Sequence, residues 1–337
     1  LEGVEGPASV AAAISKSGIT VLQAAFGHDG LLVKVVAQDG VLKAEREPES
    51  AITLERLKAW SARYPYAYGT EELDANRFFT STEALSLTGI GTGAATLVVG
   101  DKHLRSMPPN LSRVGAGFAG ETQPMAAAPS LTWLRAAVAA ARQGDGRRVA
   151  WISSADSKGT TLATLGDRME ETLESHGFTL DRDRTLPGGF TGASMAVVAA
   201  HGGLNRNSNA FQVVSDEGML TVTAEALGAA LHNVGVVALF VCSGGRSDAH
   251  PTADATIGLA RQLLDQGAQA VVASPWPLES IVPPPWLEAF LDRWDAGDRL
   301  IDAVHAANAQ MLVRWPHDHA KGLAMNVLGN PLLRTDR

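Results

Sequence analysis

Two apolar runs, Met195-Ala-Val-Val-Ala-Ala200 and Val236-Val-Ala-Leu-Phe-Val241, decide how this chain is read. The first stops at His201-Gly-Gly203 and the second at Cys242-Ser-Gly-Gly245. Short apolar runs bounded by glycine fit strands buried on both faces of a parallel sheet. Two neighbouring parallel strands place His201 and Cys242 side by side at their carboxyl ends, where open α/β sheets keep their sites. Cys242 is the single cysteine of the chain. A thiol beside an imidazole is the minimum equipment of a cysteine nucleophile and its base.

Outward from this pair the rhythm is β-α-β-α. Arg148–Ile152 reads as a strand. Thr164–His176 reads as a helix with Gly177 as its C-cap, and Phe178–Arg182 as a strand. A helix over Thr223–Leu231 separates the two decisive strands. Beyond them come a helix over Ala253–Gln266, a strand Ala270–Ser274, and helices over Trp286–Trp294 and Arg299–Leu312. Such alternation specifies a mostly parallel sheet covered by helices on both faces.

Towards the N-terminus the pattern changes. Residues 1–18 are small and polar and are expected to be a disordered stretch or linker. Ile19–Phe26, Leu31–Val36 and Val41–Glu45 are strand-like, with turns at Gly27–Gly30 and Asp39-Gly40, so the chain opens as an antiparallel meander. Ile52–Arg63 carries a helical apolar stripe that ends at Tyr64-Pro65. Gly89-Ile-Gly-Thr-Gly93 has the wrong spacing for a dinucleotide loop and reads as a turn before the strand Ala95–Val99. Residues 112–130 hold glycines and prolines and read as a long loop, after which Ser130 caps a helix through Arg142. The division expected is therefore a meander and helix over 19–110 and an α/β core over 111–337.

Composition narrows the function. The 337 residues are 45% hydrophobic and 19% charged, enough for a substantial core. A net charge of -8 and a pI near 5.6, with no basic stripe, argue against nucleic-acid binding. One cysteine excludes an internal disulfide and fits a reducing compartment. No apolar run approaches the ~18 residues of a membrane span. The start at Leu1 has neither an initiator Met nor a signal pattern. The expectation is a cytoplasmic protein, or a fragment of one, that uses no metal or cofactor and touches neither membrane nor nucleic acid.

Cysteine proteolysis needs a thiolate, a histidine in reach, and N–H donors aimed at the oxyanion. The turn after Cys242 exposes its own backbone N–H beside the thiol, and Gly202 offers a second with no side chain in the way. Two rival readings are weaker. His201-Gly-Gly203 is similar to a lipase oxyanion strip, but Gly192-Ala-Ser-Met-Ala196 lies upstream and enters a strand instead of leaving one. His317-Asp-His319 has no second ligand cluster and reads as a solvated loop instead of a metal site. The plainest alternative for Cys242 itself is a small buried hydrophobe.

These segments, in order, resemble the CHAT family, the bacterial branch of caspase-like cysteine peptidases, with separase and the caspases as distant relatives. The likeness rests on Ala128-Pro-Ser-Leu-Thr-Trp-Leu134, Val198-Ala-Ala-His-Gly202, Asp216-Glu-Gly-Met-Leu-Thr221 and Leu239-Phe-Val-Cys-Ser-Gly244. It continues through Gly258–Gly267, Val272-Ala-Ser-Pro-Trp-Pro277 and Leu328-Gly-Asn-Pro331, so that it spans about residues 19–333. The resemblance implies a caspase-like fold and a dyad with His201 as base and Cys242 as nucleophile. It implies a protein substrate, an activating protein or helical-repeat domain, and for some members a role in antiphage defence. A member of a different kind, a catalytically silent scaffold, is the alternative; the intact pair speaks against it.

Specificity is left between two residues. The family often has a small residue two before the cysteine, and here it is Phe240, on the same side of the strand as position 242. It would border the pocket for the residue before the scissile bond. Glu279, near a position where many relatives carry an acidic residue, would bind a basic side chain there, or else is a solvated loop carboxylate. The resemblance tips the expectation to Glu279 and a basic residue. Residues 112–130 and 203–215 are expected to be mobile and to be ordered by a partner.

Overall fold

The computed structural model describes residues 6–46, 53–63, 94–114, 117–140, 144–154, 159–205, 210–214, 220–249 and 256–335. Among the described residues thirteen strands form one sheet. In chain order they begin with β1 (Ile19–Phe26), β2 (Leu32–Gln38), β3 (Val41–Arg46), β4 (Ala95–Gly100) and β5 (Met125–Ala127). Then come β6 (Arg148–Ile152), β7 (Phe178–Asp181), β8 (Met195–Asn205), β9 (Ala210–Val214) and β10 (Leu220–Thr223). The last three are β11 (Val236–Val241), β12 (Ala270–Ala273) and β13 (Asn326–Gly329). The spatial order is β10-β9-β8-β11-β12-β13-β5-β4-β1-β2-β3, with β6 paired to β8 and β7 to β6.

Nine of the thirteen strands fall into two parallel blocks. β7, β6, β8, β11 and β12 run together. β13, β5, β4 and β1 also run together, and the two blocks meet at the antiparallel pair β12–β13. The expected meander is present as β1-β2-β3, with Asp39 and Gly40 both at positive φ in the second turn. It is continuous with the rest of the sheet through β1–β4, so the strands do not divide near residue 110.

Every residue of β4, β11 and β12 is buried, as near-continuous apolar runs require. Alternation sends Met195, Val197 and Ala199 of β8, with Val236, Ala238 and Phe240 of β11, to one core. Ala196, Val198 and Ala200, with Val237, Leu239 and Val241, face the other. The described residues hold ten α-helices, of which α1 (Pro7–Ser15), α2 (Leu54–Arg63), α3 (Ala119–Thr122), α4 (Leu131–Ala139) and α5 (Thr161–Ser175) come first. α6 (Ala224–Ala230), α7 (Leu259–Asp265), α8 (Pro283–Asp295), α9 (Leu300–Arg314) and α10 (His319–Gly322) follow. α5, α8 and α9 bury their apolar stripes on the first face, and α6 and α7 on the second.

Several expectations need correcting. Residues 7–15 are a helix, not part of a disordered stretch: Pro7 opens it, and Val10, Ala11 and Ile14 are buried. Small residues disguised that stripe. Within 112–130 lies β5, a three-residue strand inside the sheet, and the two-residue ribbon strands Arg113–Val114 and Gly117–Phe118. β8 does not stop at His201; it runs on to Asn205 because β9 pairs with residues 201–205. α7 starts at Leu259, after Gly258, and residues 250–255 lie outside the description. α8 starts at Pro283, earlier than expected, with proline in its first turn. β13 was not expected. Ile52, Tyr64-Pro65 and Gly89–Gly93 lie outside the described residues. Among the described residues no helix is long and apolar enough to cross a membrane.

Candidate active site

β8 and β11 are parallel neighbours, with Ala199 opposite Phe240 and Ala200 opposite Val241. His201 and Cys242 are the next residue on each strand path. The period-two pleat carries His201 onto the face of Val197 and Ala199. Cys242 follows Ala238 and Phe240 towards the same face, and there its sulfur meets the amide of Leu278, a residue packed on that core. His201 is half-buried, and Val214 of β9 is its cross-strand partner. Gly202 follows, also half-buried and opposite Val213.

Cys242 is partly exposed. Burial pushes its thiol above the ordinary range, and the N–H groups of Leu278 and of Cys242 itself offset this only in part. The chain leaves β11 in a tight turn. Ser243, itself buried, takes a left-handed φ of 58°, a conformation costing a non-glycine residue about 1 kcal/mol or more. Hydrogen bonds hold it: Gly244 N–H donates to the Val241 carbonyl at 2.9 Å and Arg246 N–H to that of Ser243 at 3.0 Å. Gly245 is required by packing, since a Cβ there would lie 2.7 Å from the Ala273 carbonyl oxygen.

A second loop, after β12, backs this turn. Ser243 N–H donates to the Trp276 carbonyl at 3.1 Å and Gly245 N–H to that of Ser274 at 2.9 Å. The Ser274 hydroxyl, fully buried, donates to the Trp276 carbonyl at 2.7 Å. The Trp276 indole N–H donates to Ala320 of α10 at 2.9 Å. This loop delivers the Leu278 N–H to the thiol. Reading the sequence singled out none of Ser274, Trp276 or Leu278 as site residues. The Ser-Pro-Trp-Pro string after a strand was the available signal.

The two specificity candidates lie as follows. Phe240 is only 4% exposed, and its ring meets Trp286 edge-on at 5.9 Å, in the core beneath Cys242. Glu279 is exposed, directly after Leu278, and its Oε1 lies 2.8 Å from Lys321 Nζ. Lys321 also pairs with Asp318. Its ammonium would be lowered by burial, but Asp318 and Glu279 outweigh this and hold it above its ordinary value.

The discarded motifs have structural partners. His319 Nε2 is 2.7 Å from Glu121 Oε1, and its ring stands edge-on to Phe118. The hydrogen bond with His319 holds the Glu121 carboxyl below its usual range despite partial burial. Ser194 Oγ donates to the Arg147 carbonyl at 2.7 Å, at the end of β8 far from His201. Among the described residues no group of three or more His, Cys, Asp or Glu side chains is placed to hold a metal.

A mostly parallel sheet with helices on both faces, with a histidine and a cysteine directly after the last paired residues of two adjacent strands, is a caspase-like architecture. The CHAT domain family model matches residues 184–320, which include both His201 and Cys242. Among solved structures, a chain of the Saccharomyces cerevisiae separase–securin complex superposes with a TM-score of 0.61 at 10% identity. That match covers 96% of this chain and 31% of the yeast one, so this chain spans about a third of its neighbour's length. The Arg-specific cysteine proteinase gingipain R superposes at 0.49 with 13% identity, over 83% of this chain and 74% of that one. No curated protein sequence matches. The fold is thus shared with a chain of the separase–securin complex, and the family resemblance read from the sequence is matched over its His and Cys motifs.

Proposed function

We propose that the chain is a cysteine endopeptidase that cleaves a protein substrate. The observation that carries the reading is the register of β8 and β11: its last pair, Ala200 and Val241, leaves His201 and Cys242 as the next residue on each of two adjacent strands. In this mechanism the His201 imidazole takes the Cys242 proton, and the thiolate attacks the scissile carbonyl carbon. The oxyanion that forms is held by the backbone N–H groups of Gly202 and Cys242. The bond to nitrogen then breaks, the imidazolium gives its proton to the leaving amine, and the acyl-enzyme remains. Water, deprotonated by His201, releases the acid and restores the thiol. Phe240 and Glu279 would border the pocket for the residue preceding the cleaved bond.

Burial holds the Cys242 thiol above its ordinary range. This supports the further reading that a partner protein or an attached domain activates the site. The yeast structure is likewise of a complex with a second protein. The defence role implied by the family resemblance would make the substrate a companion protein. The test is a peptide-library cleavage assay, run with and without candidate partners, on wild type, Cys242→Ala and His201→Ala. Each substitution is expected to lower kcat/KM by about 10³-fold or more, and the double variant by little further. Cleavage that survives Cys242→Ala would overturn the proposal.

A further inference from the structure

The carboxylate expected to receive a basic substrate side chain already has a cation. Glu279 follows Leu278, whose N–H meets the Cys242 sulfur, so it stands at the margin of the reacting thiol. Its Oε1 lies 2.8 Å from Lys321 Nζ, with the lysine side chain 14% and the glutamate 43% exposed. Lys321 is no wandering surface lysine. It sits on α10, where Asp318 caps the helix by accepting the Lys321 N–H at 3.1 Å and also pairs with its ammonium. α10 is fixed to the Leu278 loop by the bond from the Trp276 indole to Ala320 and, on its other side, by the contact of His319 with Glu121.

We propose that Lys321 is a specificity-determining residue: it neutralises Glu279 from within, so that the substrate residue before the cleaved bond is apolar and uncharged instead of basic. The inference rests on the peptidase reading above. A substrate guanidinium entering here meets a carboxylate engaged at 2.8 Å and, beside it, a like charge that repels it. Asp318 does not supply the missing counter-charge, because its carboxylate is bound to the amide and the ammonium of Lys321. The two carboxylates share one ammonium and so keep one net negative charge, but both are engaged inside the protein; selection then falls to apolar contact, and Leu278 is the apolar side chain packed at this point.

The test uses matched peptides with Arg or Leu before the cleaved bond. Wild type is expected to prefer Leu. Lys321→Met keeps the apolar stem and removes the charge, and it should raise the Arg-to-Leu ratio of kcat/KM about 10-fold or more. Adding Glu279→Gln to Lys321→Met should abolish that gain. Glu279→Gln alone should change the ratio by less than about 3-fold; a loss of about 10-fold or more would mean that Glu279 binds the substrate cation and would overturn the proposal. So would a wild-type preference for Arg that Lys321→Met leaves unmoved. The same ratios, measured as affinities of the product peptides ending in Arg or Leu for the Cys242→Ala chain, separate the two claims. A binding ratio that shifts with Lys321→Met when no peptide is cleaved keeps this inference and sinks the peptidase; cleavage with an unmoved ratio does the reverse.

Discussion

At the scale of single residues, the site is set by a conflict at Cys242. Its surroundings raise the thiol through burial, while two N–H groups aimed at the sulfur favour the thiolate. Burial wins in the isolated chain. Iodoacetamide alkylation, which reads the thiolate, should therefore have a pH midpoint above that of a free cysteine. An activating partner should move it downward, towards the value of a thiol that shares its proton with His201. A midpoint already below that of a free thiol would mean that the isolated chain is poised for reaction. The placement of Cys242 and His201 on neighbouring strands was legible in the sequence because each directly follows a short apolar run. Lys321 was not, because it lies 42 residues from Glu279, and no local pattern announces an ion pair across that gap. Leu278 meets the thiol through its backbone N–H, and a leucine's spelling carries no trace of that.

At the scale of elements, one polar cluster pins three pieces together at the end of the sheet away from Cys242. Arg148 at the start of β6 donates to both oxygens of Asp295 at the end of α8, at 3.1 and 2.5 Å. His176, which follows α5, lies 2.7 Å from the same carboxylate. Burial alone would raise the Asp295 carboxyl, but Arg148 and then His176 outweigh it and hold it below the usual range. A carboxylate depressed in the folded state stabilises fully above its unfolded pKa of ~3.9, and that stabilisation fades as pH falls through the folded value. Asp295→Asn should thus cost about 1–2 kcal/mol in urea denaturation at pH 7, discounted because the group is a third exposed. The gap between variant and wild type should narrow in strong acid. A constant gap down to that range would mean the loss is steric. The elements themselves divide by length in how well they could be read. β1, β6 and β11 match the expected bounds because each is a run of five to eight mostly apolar residues. β5, at three residues, is too short for a period to be visible, and β13 opens on a buried asparagine that breaks the apolar run.

At the scale of the whole molecule, the N-terminal meander is part of the wall and not an attachment. β1 lies beside β4, all of whose residues are buried. Deleting residues 1–46 would uncover that row of unpaired N–H and C=O groups on an apolar strand, which invites edge-to-edge pairing. The shortened chain should run as aggregate in size-exclusion chromatography, whereas a soluble monomer with cooperative unfolding would establish an autonomous core. The α/β alternation was legible in the sequence, and so was the meander; that the two join in one sheet was not, since strand order is decided by packing between distant segments. β13 makes that join. It enters between β12 and β5, so the seam of the sheet is closed by residues 326–329, the last strand of the sheet in chain order. A ribosome working towards that strand holds two half-built sheets whose inner borders face open water. The protein's most central seam is therefore also its latest, and the period of greatest risk of misassembly runs until those four residues leave the exit tunnel.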